Sequence, residues 1–121
     1  MSREADLRLE DILESAQLVL DRTDGMSADS FRRDRRTVDA VLRNLEIIGE
    51  AVKHVPADLR DREPEIPWRQ ISGLRHVLAH AYFEVDLDLI WDIVTRHLRP
   101  LIEAVTRLRG GDGSTEPGRL D

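Results

Sequence analysis

Apolar residues recur at three- and four-residue intervals through most of the chain, and these intervals divide it into helices. Leu9, Ile12, Leu13, Ala16, Val19 and Leu20 form one stripe, which predicts an amphipathic helix from about Arg3 to Arg22. Asp24-Gly25 ends it. Ser27 is placed as an N-cap, with Met26 and Phe31 spaced as a hydrophobic staple, so a short helix is expected from Ala28 to about Asp34. A longer helix follows. Val38, Val41, Leu42, Leu45, Ile48, Val52 and Val55 share one face, Ile47 and Ala51 widen it, and the helix should end before Pro56. Gly49 lies inside this helix, where glycine costs up to about 1 kcal/mol against alanine. It reads as a point of close helix packing.

The stretch from Pro56 to Pro67 is the main break, with room for one helical turn around Ala57 to Arg62. Pro64 and Pro67 bracket an extended dipeptide, and Pro67 suits a helix start because its missing N–H would have no partner there. The helix so started spans Trp68 to about His80, with Ile71, Leu74 and Leu78 inward. Asp86 caps the last helix, which runs to about Leu108 on the stripe Ile90, Trp91, Val94, Leu98, Leu101, Ile102, Val105 and Leu108. Pro100 should kink it. Gly110 to Asp121 is Gly, Ser, Pro and charge, and reads as a disordered tail. No alternating strand pattern and no internal repeat is present. The expected fold is all-α: a helical bundle of four main helices plus one or two short ones, one domain over residues 1–109 and a tail over 110–121.

Composition narrows the chemistry. Charged residues make up 35% of the chain, which suits helices with strongly solvated outer faces. The absence of cysteine excludes disulfides and thiolate metal sites. No apolar run reaches the roughly 18 residues of a membrane-spanning helix, and Met1 to Leu13 is charged throughout. A soluble, cytoplasmic protein is therefore expected. The net charge of −6 argues against a nonspecific nucleic-acid coat but leaves room for a local basic groove. Two clusters offer one: Arg32, Arg33, Arg35 and Arg36, and Arg69, Arg75 and His76. A solvated helix start explains the first equally well.

The densest chemistry lies between Arg75 and Tyr82, which holds Arg75, His76, His80 and Tyr82 in a chain with only four histidines and one tyrosine. Histidine can carry a proton near neutral pH, and arginine can hold a phosphate with a planar fork of donors. Together they can cut a phosphodiester whose neighbouring 2′-OH attacks, with no metal or cofactor. On the residues alone, a polar helix end is the stronger reading. Arg75 and His80 are five apart, about 140° around a helix and about 7.5 Å along it, so one straight helix does not face them the same way. Either the helix ends near His80 and the long arginine side chain, or a second copy of the segment from another subunit, closes the gap, or His76 and His80, which do share a face, chelate a metal with help from Glu84 or Asp86. His54 and His97 read as ordinary surface or helix-end histidines. Glu50, on a mostly apolar face, either pairs inside the bundle or orients Arg75.

These residues also resemble a known family. Arg75 and His80 match the arginine–histidine signature of the HEPN superfamily. More closely, Ile47-Ile48-Gly49-Glu50-Ala51, Ile66-Pro67-Trp68-Arg69, Arg75 through Tyr82 and then Trp91 resemble the HepT-like toxins in order and spacing, over about Leu7 to Leu108. Asparagine is common in that family just after the arginine, where His76 stands here, which leaves His76 as a possible helper. The resemblance implies a HEPN-like bundle. It also implies metal-independent RNA cleavage by a homodimer, as in type VII-like toxin–antitoxin systems, with Arg75 and His80 catalytic and no cofactor. The implied partner is a nucleotidyltransferase antitoxin that silences the site by transferring AMP to Tyr82. The alternative is a noncatalytic helical partner, or nucleotide-binding module, for a nucleotidyltransferase.

Overall fold

The computed structural model describes residues 1–80 and 86–110, without the side chains of Val77, Ala79 and His80. Among the described residues there are seven helices and no strand: α1 (Arg3–Thr23), α2 (Ala28–Arg33), α3 (Arg35–Lys53), α4 (Ala57–Arg60), α5 (Trp68–His80), α6 (Leu87–Arg96) and α7 (Leu98–Gly110). The all-α bundle expected from the periodicity is the fold. None of the described helices is long and apolar enough to cross a membrane.

Local signals set the helix ends. Ser2 caps α1 by accepting from Ala5 N–H at 3.0 Å. Ser27 and Ser30 form a capping box at α2, and the staple residue Phe31 is buried. Asp34 closes α2 and caps α3 through Thr37 N–H, 3.1 Å away. Asp86 accepts from the backbone N–H groups of Asp88 and Leu89 at the start of α6.

The last helix departs from expectation. In place of one kinked helix to Leu108, the chain forms α6 and α7, separated at His97. Pro100 explains where the break falls. It has no N–H for the carbonyl of Arg96, four residues back, and its ring would press on that carbonyl. Arg96 is therefore the last residue of α6, and Pro100 lies in the first turn of α7, where a donor is dispensable. The helix also takes in Gly110, which the sequence reading places in the tail. The rest of the expected tail, 111–121, lies outside the described residues.

Helix α3 is the centre of the bundle and packs against both α1 and α5, while α7 covers α1. Leu9, Ile12, Ala16 and Val19 of α1 meet Val41, Leu45, Ile48 and Val52 of α3 in one core, closed by Leu101, Val105 and Leu108 of α7. From the last turn of α7, Arg109 holds Asp6 with two contacts of 2.9 and 3.2 Å, and Arg107 holds Glu63 with two of 3.0 and 2.8 Å. Trp68 fixes the start of α5. It is buried, and its indole N–H is shared between the carbonyls of Arg60 at 3.1 Å and Glu63 at 3.0 Å.

The α3–α5 contact depends on Gly49. A Cβ placed there would lie 2.9 Å from Arg75 N, 2.9 Å from Ile71 O and 3.3 Å from Arg75 Cβ. Two of these three atoms are backbone, so relief requires moving α5 rather than a side chain. Gly49→Ala would gain up to about 1 kcal/mol in helix propensity. It would lose about 1–3 kcal/mol to overpacking. The loss wins, because a helix backbone cannot step aside locally. Gly49→Ala should therefore lower the thermal midpoint by about 4 °C or more in a domain of this size. Calorimetry showing an unchanged or raised midpoint would refute the close-contact role.

Candidate active site

Arg75 lies in the third turn of α5, immediately beside Gly49 of α3. Because the two backbones nearly touch, the Arg75 side chain leaves α5 next to Glu50, the residue after Gly49. The closest approach is 2.8 Å, from Arg75 Nε to Glu50 Oε1. Nε is shielded from solvent and its N–H has no acceptor in line. The contact is therefore an ion pair rather than an aligned hydrogen bond. The other carboxylate oxygen, Oε2, accepts from His54 Nε2 at 3.1 Å. An ionised carboxylate can only accept, so Nε2 carries the proton in this pair.

Arg75, Glu50 and His54 thus form a short polar chain across α3 and α5, with Arg75 and His54 each 39% exposed and Glu50 43%. The His54 hydrogen bond and then the Arg75 charge hold the Glu50 carboxyl below the usual glutamate range, against a partial desolvation that pushes the other way. A depressed value means the carboxylate is favoured in the fold at neutral pH, and that this contribution is lost as the pH falls through the folded value.

The chain opens onto a groove of about 380 Å³ lined by Arg8, Asp11, Arg43, Glu46, Ile47, Glu50, Ala51 and Arg75. Its three arginines are matched by three carboxylates. A polyanion would gain little from the field of this groove as a whole. It would be held by individual guanidinium groups, of which Arg75 is the one fixed by an oriented partner.

The other candidate residues divide. His76 is exposed on α5. His80 is the last described residue of α5, and the helix is uninterrupted from Arg75 to His80. The side chain of His80 and the whole of Tyr82 lie outside the described residues. So does Glu84, offered as a ligand in the metal reading. Among the described residues no three His, Asp or Glu side chains gather as a metal site would require. The first basic cluster is tied up in part: Arg32 bridges Asp29 and Asp88, joining α2 to α6, and Arg35 lies 3.5 Å from Asp39.

His54 and His97 both end helices, α3 and α6, as expected. His97 lies 3.6 Å from Asp92 on its own side of the bundle. His54 does more than expected, because it is joined to Arg75 through Glu50. The i, i+4 spacing of Glu50 and His54 was the available sequence signal. Arg8 and Arg43, which complete the groove, carried none.

The sequence profile described as Ribonuclease HepT-like matches residues 12–108. A Thermococcus cleftensis protein named probable ribonuclease HepT is 42% identical over 101 residues, which cover 84% of this chain and 92% of that one. A Methanocaldococcus jannaschii protein, MJ0127, whose name provisionally calls it an RNase, is 39% identical over 108 residues, 86% of this chain and 89% of the relative. A third, TTE0752 of Caldanaerobacter subterraneus, named in the same provisional way, is 36% identical over 100 residues, 83% of this chain and 89% of the relative. No solved structure matches.

The electrostatics of Glu50 can be checked directly. Its titration midpoint, followed by carboxyl carbon NMR, should lie below that of a free glutamate and rise in His54→Ala, since the His54 hydrogen bond is the largest lowering influence. A midpoint that ignores the loss of His54 would remove His54 from the chain.

Proposed function

Because the chain belongs to the Ribonuclease HepT-like family, we propose that it is a metal-independent endoribonuclease, the toxin of a type VII-like toxin–antitoxin pair, which cleaves RNA at a site shared by two copies of α5. The observation that carries this reading is the placement of Arg75, half-buried, at the edge of a groove, and held there by a carboxylate from a second helix.

The chemistry follows from the residue types. His80 takes the proton from the 2′-OH, or gives one to the departing 5′ oxygen, a role worth typically about 10²–10⁴-fold. The 2′ oxygen bonds to phosphorus as the P–O5′ bond breaks, which leaves a cyclic phosphate and a 5′-OH. Arg75 neutralises the charge that builds on the phosphoryl oxygens. A single α5 directs Arg75 and His80 about 140° apart. An isologous dimer resolves this by bringing the arginine of one copy to the histidine of the other. His76 stands beside Arg75 as a possible helper, not as the base. The intact arginine–histidine pair favours catalysis over the noncatalytic alternative.

Tyr82 is the proposed point of control. It follows His80 by two residues in the sequence, and a nucleotidyltransferase partner would attach AMP to its hydroxyl. The added phosphate would compete with RNA for Arg75 over a distance at which salt screens weakly inside a cleft.

Arg75→Ala and His80→Ala should each abolish cleavage of an oligoribonucleotide without changing the helical circular dichroism. EDTA should leave the wild type active. Retained activity in either purified variant would place the site elsewhere. Inhibition by EDTA that a divalent ion reverses would favour the metal reading of His76 and His80. Tyr82→Phe should keep most cleavage, since the hydroxyl is not the base, and should resist silencing by the cognate nucleotidyltransferase. A Phe variant that is still silenced would mean control by binding alone. As Tyr82 is the only tyrosine, intact mass reads its modification without ambiguity.

A further inference from the structure

We propose that Glu50 is a positioning residue for Arg75, with His54 holding the carboxylate from its other side. The inference rests on the ribonuclease reading for its consequence but not for its geometry.

Three observations carry it. Gly49 brings the α3 backbone against Arg75 N, so the distance between Glu50 and the start of the Arg75 side chain is set by two helices rather than by a loop. The two oxygens of Glu50 are divided between two partners, Arg75 at 2.8 Å and His54 at 3.1 Å, so the carboxylate cannot turn without losing one of them. Glu50 meets Arg75 at Nε, on the side edge of the guanidinium, which leaves the terminal fork as the part offered to a phosphate.

An arginine on the surface has a long, freely rotating side chain, and fixing it at the moment of reaction costs entropy. Glu50 fixes it beforehand. Its negative charge also opposes anion binding at Arg75, so Glu50 is not the residue a simple phosphate-binding patch would place there. A positioning role explains its presence where a binding role does not.

Three substitutions at Glu50 separate position from charge. Glu50→Ala removes both. Glu50→Asp keeps the charge and withdraws the oxygen by one methylene. Glu50→Gln keeps an oxygen within reach and removes the charge. With a single-site oligoribonucleotide, kcat should fall about 10²-fold in the Ala and Asp variants, the size of loss that follows a misplacement of about 1 Å at a reacting centre. KM should move much less, and Gln, which offers an oxygen but no charge to the ion pair, should recover only part of kcat. Asp6→Ala, which breaks a similar ion pair with Arg109 between α1 and α7, should leave kcat unchanged.

A second readout needs no activity. The Arg75 Nε–H, shielded from solvent in this arrangement, should exchange slowly in the wild type, sharply faster in Ala and Asp, and at an intermediate rate in Gln, as read by ¹⁵N NMR. An Asp variant with wild-type kcat, or an Arg75 Nε–H signal indifferent to all three changes, would overturn the proposal. If the wild-type protein cleaves no RNA, the ribonuclease reading fails, and the exchange measurement still decides whether Glu50 positions Arg75.

Discussion

The near-contact of the α3 and α5 backbones at Gly49 is the constraint on which the rest of the site depends. It places Arg75 N and Ile71 O where no side chain of α3 could fit. With α1 also packed on α3, α5 cannot slide along α3 without opening a gap or meeting a side chain. The Trp68 indole, shared between the carbonyls of Arg60 at the end of α4 and Glu63 beyond it, fixes the start of the helix. A reactive segment that would otherwise be a polar helix end is thereby given coordinates. Glu50 extends the same device from backbone to side chain, one residue along.

Electrostatics in this protein is local. The chain is acidic overall, at −6, and the groove beside Arg75 has as many carboxylates as guanidinium groups. Long-range attraction of a polyanion is weak on such a surface. Specific placement of one cation then matters more than the number of cations. The first arginine cluster, at the α2–α3 junction, bears this out. Arg32 is used in a bridge between α2 and α6, which is structural work rather than ligand binding.

Most of the fold was legible because it rests on periodicity and caps, which are local properties of the chain. The stripe from Leu9 to Leu20, the Ser27 cap and the Trp68 start all appear within a residue or two of where the pattern puts them. The single long C-terminal helix was misread for a reason that is also local. The effect of Pro100 falls on the carbonyl of Arg96, four residues back, so a kink expected at the proline became a break at His97. The site was legible in part. The residues Arg75, His76, His80 and Tyr82 stand out by type and spacing, and Gly49 by its place inside a helix. Of the link from His54 through Glu50 to Arg75, the i, i+4 spacing of Glu50 and His54 was visible, and Glu50 orienting Arg75 was one of two open readings. Choosing between them depends on the separation of two helices, which the sequence does not carry. Arg8 and Arg43 reach the groove only through the way α1 and α3 are packed.

The central claim is that Arg75 of one copy works with His80 of another. Mixing protomers tests it most directly. Arg75→Ala and His80→Ala proteins, each inactive alone, are unfolded together and refolded so that the two kinds of protomer pair. Each mixed dimer then has one cleft with both damaged residues and one with both intact residues. Cleavage should reappear in the mixture and be absent when either variant is refolded by itself. A mixture that forms mixed dimers but remains inactive would contradict the shared site, and would require Arg75 and His80 to act within a single copy of α5.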